Sequence, residues 1–283
     1  MPRPSPDAAR LAAAYRIGVR LTPSRSLPGD RPARGTGASL EFQERRPYVA
    51  GDDVRHVDWR ALARTDQVLV RLHREEVLPR LDLLLDTSAS MATDADKARL
   101  AVDLAALLAA AARAEGHHVR LVLLGARAEV VPLERFDAEG SEFEGVGTLA
   151  SALADAGSGL LRAGSLRVLV SDFLSPFDAA SLVRPLAARA GALACVRVLS
   201  REDAAPVAGE ARRLRDAETG ETLDVVVDER AVALYRERLE RLGESLSTEC
   251  RRAGASFDTL VASEPLDALC RDRLAPAGVL APR

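Results

Sequence analysis

Two short apolar runs, each ending in aspartate, constrain the fold more than any other feature of this sequence. Leu81–Asp86 reads LDLLLD and Arg167–Asp172 reads RVLVSD. Neither alternates as a strand with one wet face would. Near-continuous runs of this length suit strands buried on both faces, the environment of a parallel sheet covered by helices on each side. The intervening segments supply the helices. Thr93 and Asp96 make a capping-box-like start to a helix reaching about Ala114, with Leu100, Leu104, Leu107, Leu108 and Ala111 on one face and Gly116 as its stop.

The same reading extends along the chain. Strands are expected at Val119–Leu124, Ala128–Leu133, Ala192–Leu199 and Ser256–Val261. Helices are expected at Leu149–Ala156, after Ser175-Pro-Phe-Asp178 with Pro176 in the first turn, at Glu229–Arg252 and at Glu264–Leu274. In Glu229–Arg252 a stripe of Val232, Tyr235, Leu239, Leu242 and Leu246 should face the sheet. Arg212–Asp216 and Leu223–Val227 read as a small hairpin insertion at about 200–228. Strands alternating with helices give an α/β fold with a mostly parallel central sheet and right-handed crossovers. The consecutive strands before Leu133 add one antiparallel edge pair.

Before this region, residues 1–38 are rich in Pro, Arg and Gly and read as a flexible N-terminal lead-in, with a helical piece possible at Ala8–Leu21. Residues 39–78 form a distinct segment, expected to pack on the sheet, with a strand at Gln67–Glu75. The α/β domain spans 79–274, and 275–283 is a tail. The formal net charge is −3, so no chain-wide basic field exists and nucleic acid is not the expected partner. Three separated cysteines form no Cys/His cluster and no disulfide framework, and Cys195 reads as a small core residue. The longest apolar run, Leu104–Ala112, cannot span a bilayer, and MPRPSPDAARL lacks a signal-peptide core. A cytoplasmic protein without a membrane span is expected. Only one of the 39 basic residues is a lysine, Lys97. That bias is read as the mark of a GC-rich genome, and Lys97 receives no role.

The residues that carry chemistry stand just beyond strand ends. Asp86-Thr-Ser88-Ala-Ser90 follows the first strand, Gly147-Thr148 comes later, and Ser171-Asp172 ends another. Open sheets bind ligands beyond the carboxyl ends of strands, where strand order reverses. Two carboxylates and three hydroxyls are hard oxygen donors suited to Mg²⁺ or Mn²⁺, and two negative charges balance a divalent ion. With few protein ligands, a coordination position stays open for an outside carboxylate.

DTSAS, the Gly-Thr loop and the Ser-Asp loop together resemble the metal-ion-dependent adhesion site of von Willebrand factor A domains. The resemblance implies a von Willebrand factor A-like, Rossmann-like fold. It implies that Ser88 and Ser90 bind the metal directly, that Thr148 does so directly or through water, and that Asp86 and Asp172 act mainly through water. The partner would supply a Glu or Asp. A narrower resemblance starts at Ser39. The run SLEFQERRPYVAGDDVRHVDWRALARTDQVLVRLHREE leading into DTSASM, and Arg213–Glu221 later, look like the DUF58 family. That resemblance covers about Ser39 to Leu274. It implies an adaptor working with a MoxR-type AAA+ ATPase in chaperone-like assembly or activation of clients.

Within 39–78, Arg46, Tyr48, Asp52, Asp53, His56, Trp59 and Arg64 are candidates for a partner-docking surface, since Arg and aromatic residues concentrate at interface hot spots. The competing reading is a buried hydrogen-bond and ion-pair network. Three functions compete for the chain. The first is a metal-dependent binding module with no enzymatic chemistry of its own. It has no GxxxxGK[ST], so ATP hydrolysis would belong to its partner. The second is a metal-dependent phosphatase or hydrolase using Asp86. Haloacid-dehalogenase phosphatases carry a second Asp where this chain has Ser88, and no GxSxG elbow is present. The third, nucleic-acid binding through the arginines, is opposed by the interleaved Asp52, Asp53 and Asp58.

Overall fold

The computed structural model describes residues 2–19, 40–49, 54–75, 79–143, 148–157, 159–209, 211–217 and 220–283. The chain divides into two compact units, Met1–Ser24 with Pro79–Arg283, and Arg25–Leu78. The large unit opens with α1 (Pro6–Ala12) and β1 (Tyr15–Ile17). The small unit follows, with β2 (Leu40–Pro47), a 3₁₀ turn (Val54–His56), α2 (Trp59–Thr65) and β3 (Leu69–Glu75). β2 and β3 pair antiparallel with a register shift between Phe42 and Glu44. Asp58 caps α2 by accepting from the Ala61 amide at 3.1 Å, and Val57, Ala61 and Val70 are buried.

The large unit then resumes with β4 (Arg80–Asp86), α3 (Ala95–Ala114), β5 (His118–Leu124), β6 (Ala128–Val131), α4 (Leu133–Glu139), α5 (Leu149–Gly157), β7 (Leu166–Ser171), α6 (Ala179–Ala187) and β8 (Ala192–Leu199). It ends with α7 (Arg201–Ala204), the hairpin β9 (Ala211–Arg215) and β10 (Thr222–Val226), α8 (Glu229–Arg252), β11 (Ser256–Val261), α9 (Leu266–Leu269) and β12 (Leu280–Pro282). The central sheet runs β11-β8-β7-β4-β5-β6, parallel throughout except for β5 with β6. The chain steps outward from β4 to β6. It then returns to lay β7 on the other side of β4 and steps outward again to β11. Strand order therefore reverses between β4 and β7.

Alternate strand residues feed two cores. Leu81, Leu83, Leu85, Val168, Val170 and Val196 pack under α3, while Leu84, Leu169, Leu193 and Cys195 pack under α5, α6 and α8. This double burial is why β4 and β7 carry no polar alternation. Cys195, Cys250 and Cys270 are all buried free thiols.

Several local expectations are corrected. Residues 2–19 are not a loose lead-in, and 275–283 is not a loose tail. β1 pairs antiparallel with β12, Leu11 and Leu280 join the core, and the Ser5 amide and hydroxyl bond Asp103 at 2.6 and 3.0 Å. The few apolar residues in a Pro- and Arg-rich stretch suffice because Ala8, Leu11 and Ala12 are buried and Tyr15, Ile17 and Val19 pack against the core. The expected helix at Ala8–Leu21 is the shorter α1 followed by β1. The strand expected to reach Leu133 stops at Val131. Pro132 cannot donate to a ladder, and α4 begins, burying Leu133 and Phe136. Asp178, not Pro176, starts α6, accepting from the Ser181 amide at 2.8 Å. Asp94 rather than Thr93 caps α3, accepting from the Asp96 and Lys97 amides at 2.8 and 2.9 Å. The expected helix at Glu264–Leu274 is α9 continued by a π turn over Cys270–Leu274. Among the described residues no helix is long and apolar enough to cross a membrane.

Candidate metal centre

The strand reversal brings the carboxyl ends of β4 and β7 side by side. Leu85 pairs with Val170, so Asp86 and Ser171 stand next to one another and Asp172 follows. Asp86 is 2% exposed. Its Oδ2 accepts from the Ser171 hydroxyl at 2.6 Å and its Oδ1 from the Ser88 amide at 2.9 Å. Burial above all, and then repulsion from Asp172, push its carboxyl up to about 6, against hydrogen bonds from Ser171 and Ser88 that pull it down. The short Ala89–Ala92 turn beyond Ser88 sets the Ser88 and Ser90 hydroxyl oxygens 3.1 Å apart.

Asp172 is almost fully buried, and both of its oxygens are engaged. Oδ1 accepts from the Leu174 amide at 3.0 Å and Oδ2 from the Lys97 ammonium at 3.1 Å. Between them stands Phe173 at φ 56°, a left-handed conformation rare for a bulky residue. Its amide donates to the Ser171 hydroxyl at 2.9 Å, and its ring packs edge-on against Phe177 and Phe257. The strained turn holds Asp172 in place, a use of backbone strain typical of functional loops.

Lys97 corrects the sequence reading. This lysine is 0% exposed and reaches from the first turn of α3 to Asp172 and, at 2.9 Å, to Asp203. Asp203 closes a capping box with Ser200 just after β8 and so stands at the end of a further parallel strand. Although burial raises its carboxyl, the charge of Lys97 and the bonds with Ser200 outweigh that and hold it below the usual value. The Tyr235 hydroxyl donates to the Asp203 carbonyl at 2.9 Å, tying this corner to α8. The signals for this corner were present in the sequence. Lys97 is the one lysine among 39 basic residues, and Ser200-Arg-Glu-Asp203 is a capping motif at a strand end. Three carboxylates and one buried ammonium again leave two net negative charges.

Four of the five expected metal residues, Asp86, Ser88, Ser90 and Asp172, thus gather at the reversal. Thr148 is exposed and caps its own helix. Its hydroxyl accepts from the Ser151 amide at 3.2 Å and donates to the Ser151 hydroxyl at 3.3 Å, and none of its hydrogen bonds reaches the other four. Among the described residues no three His, Cys, Asp or Glu side chains group as a metal cage. The donors that fit a metal here are hydroxyls. Adjacent ligands of octahedral Mg²⁺ lie about 2.9 Å apart, close to the 3.1 Å between Ser88 Oγ and Ser90 Oγ. The two hydroxyls are hydrogen-bonded to one another, and with Asp86 and Asp172 they are the hard oxygen donors that could hold a divalent cation.

In the small unit, Trp59 opens α2 with 62% of its surface exposed, and Tyr48 is 37% exposed. Arg64 is exposed, with its Nε on the Arg60 carbonyl at 3.2 Å. Arg46 lies in β2 opposite Val70, and His56 lies in the 3₁₀ turn. Asp52 and Asp53 lie outside the described residues. A buried network is not what Trp59, Tyr48 and Arg64 form.

The family profile described as "Protein of unknown function DUF58" matches residues 44–245. An uncharacterized protein of Mycobacterium tuberculosis, Rv1480, is 30% identical over 241 residues, covering 78% of this chain and 75% of that protein. The uncharacterized protein Mb1516 of Mycobacterium bovis matches with the same figures. Among solved structures, the conserved hypothetical protein BatB from Bacteroides thetaiotaomicron aligns over 70% of this chain and 96% of its own, with 13% identity and a TM-score of 0.40. An aerotolerance-related membrane protein from Bacteroides fragilis aligns over 61% and 96%, with 15% identity and a TM-score of 0.32.

Proposed function

The chain belongs to the DUF58 family, and from that premise we propose that it is a metal-dependent protein-binding adaptor whose site at the β4–β7 reversal captures a carboxylate of a partner. The observation that carries this reading is the convergence of Ser88 and Ser90, with hydroxyls 3.1 Å apart, beside the buried Asp86 and Asp172. In this reading the site is of the von Willebrand factor A, metal-ion-dependent adhesion type. Ser88 and Ser90 would hold Mg²⁺ (or Mn²⁺). Asp86 and Asp172 have their oxygens committed to protein donors and act by charge and through water. The bound ion supplies a Lewis-acidic position for an incoming Glu or Asp. Lys97 and Asp203 fix Asp172 and set the local charge to match a divalent ion.

An adaptor needs nothing further at the site. Asp86 accepts from its neighbours, and Ser88 stands where a phosphatase of the haloacid-dehalogenase type needs a general acid. The partner proposed is a MoxR-type AAA+ ATPase or its client, with the exposed Trp59 and Tyr48 offering apolar anchors on the small unit. The test is calorimetric titration of such an ATPase into this protein, with Mg²⁺ and with chelator, in the parent and in Asp86→Ala. Binding that needs Mg²⁺ and is lost in the variant is expected. Equal binding in chelator would overturn the proposal.

A further inference from the structure

Cations inside the large unit are met by carboxylates or, for the buried Arg167, by the Leu186, Ala188 and Arg162 carbonyls, which take both of its Nη atoms. Arg162 and Arg120 sit on Asp82 at 2.7 and 3.3 Å, and Lys97 sits on Asp172 and Asp203. Arg197 differs. It lies on β8 beside the edge strand β11, on the side covered by α8, and is 8% exposed. Its Nε donates to the Thr259 hydroxyl on the paired position of β11 at 3.0 Å, and its Nη1 to the Leu239 carbonyl at 3.4 Å. Its guanidinium lies 5.7 Å from the centre of the Phe257 ring. These partners hold the group rigidly but are all neutral. Among the described residues no carboxylate comes within ion-pair distance of it, and Nη2 makes no hydrogen bond. Desolvation lowers its pKa, with only Tyr235 opposing. Nη2 keeps no protein partner while Arg197 lines a cleft, so this nitrogen is open to an anion from outside.

The surroundings are shaped to admit one. Arg197 lines a cleft of about 650 Å³ between α8 and the β8–β11 edge, within the size range of small-molecule sites. Gly243 stands inside α8, where glycine is unfavourable. A Cβ there would come 2.9 Å from Nη2, so the glycine lets the helix pass close while the guanidinium keeps its position. The charges on the cleft wall restrict what fits. Glu240 and Glu244 are exposed on α8, Arg251 lies further along it, and Asp258 is already paired with Arg273 at 2.5 Å. A dianionic phosphate would meet both glutamates. A single carboxylate on Arg197, attached to a cationic group facing Glu240 and Glu244, complements Arg197 and both glutamates and leaves the exposed Arg251, bonded to the Thr248 hydroxyl, to solvent.

We propose that this cleft is a second binding site, separate from the metal centre, for a small amphoteric ligand of the amino-acid class, with its carboxylate seated on Arg197. A planar guanidinium with its Nη2 donors unspent is suited to receive a carboxylate.

The test uses the full chain, calorimetry and thermal shift, with three probes. L-lysine carries both groups, acetate only the carboxylate, and cadaverine only the amines. L-lysine should raise the melting temperature by mass action, acetate should do so less, and cadaverine should not. Arg197→Met should weaken L-lysine by about tenfold or more, with Arg197→Lys as a charge-retaining control and circular dichroism to confirm the fold. Glu240→Gln/Glu244→Gln alters only exposed side chains and does not risk the fold. It should reduce L-lysine to the level of acetate while leaving acetate unchanged. No response to L-lysine, an equal response to cadaverine, or equal L-lysine binding in the glutamine variant or in a folded Arg197→Met would overturn the proposal.

Discussion

Replacing Asp86 by Asn should make the metal-free protein more stable while abolishing metal binding. Asp86 is 2% exposed, its hydrogen bonds come from a hydroxyl and an amide, and the charge that most affects it is the like charge of Asp172. Its carboxyl is raised from an ordinary 3.8 to about 6, by burial first and Asp172 second. Two units correspond to about 3 kcal/mol, carried as a penalty whenever the group is ionised in the fold. The sign follows from linkage. A folded pKa above the unfolded one contributes stability that is full below pH 3.8 and is lost as pH rises through about 6. The metal-free parent should therefore weaken between these values and stay weakened at pH 7. Asn cannot accept at both ends, so part of the gain is spent on lost hydrogen bonds. A net gain of about 1–2 kcal/mol at pH 7 is expected, or several degrees in Tm for a chain of this size. Denaturant titrations of chelator-treated parent and Asp86→Asn from pH 4 to 8 measure both the gain and the flattened slope. An Asp86→Asn protein less stable than the parent at pH 7, with the pH slope unchanged, would show that the carboxylate serves the fold rather than a ligand.

Three further outcomes are expected. Lys97→Met leaves Asp172 and Asp203 without their shared cation, so chemical denaturation should show a loss of about 3–5 kcal/mol; an unchanged midpoint would remove Lys97 from the account. Asp82 is fully buried. Its burial raises its carboxyl, but bonds from Ser165 and Arg162 and the charge of Arg162 outweigh that and lower it overall. Its contribution is present above 3.8 and is lost as pH falls from there through its lowered folded value, so acid unfolding should lose one step in Asp82→Asn, and an identical acid profile would refute this. Trp59→Ala should leave the stability within about 0.5 kcal/mol of the parent, because Trp59 is 62% exposed, while weakening partner binding by about 2 kcal/mol or more; a large drop in Tm with binding intact would make the residue structural.

The parts of the fold that were legible in the sequence are those where one local rule decides. β4 and β7 announced themselves because double burial removes polar alternation, and α8 spans the expected Glu229–Arg252 because its apolar stripe repeats at helical spacing. The position of Asp86, Ser88, Ser90 and Asp172 was legible for the same reason, since residues following parallel strands collect at one edge. What was missed depends on tertiary contact. β1 and β12 are three residues each and pair across the whole length of the chain. α4 hides behind Val130-Val131-Pro132-Leu133, which reads equally well as a strand end. Lys97 and Asp203 are 106 residues apart and meet only through the fold. Arg197 looks like one more arginine until its lack of a carboxylate partner is seen in three dimensions.

The most direct test is a calorimetric titration of Mg²⁺ into chelator-stripped parent and into Ser88→Ala/Ser90→Ala, which removes the two hydroxyls that lie 3.1 Å apart. The account predicts a single saturable Mg²⁺ site in the parent, with a matching rise in Tm, and neither in a variant of unchanged fold. No saturable Mg²⁺ binding in the parent, or equal binding in both proteins, would contradict it.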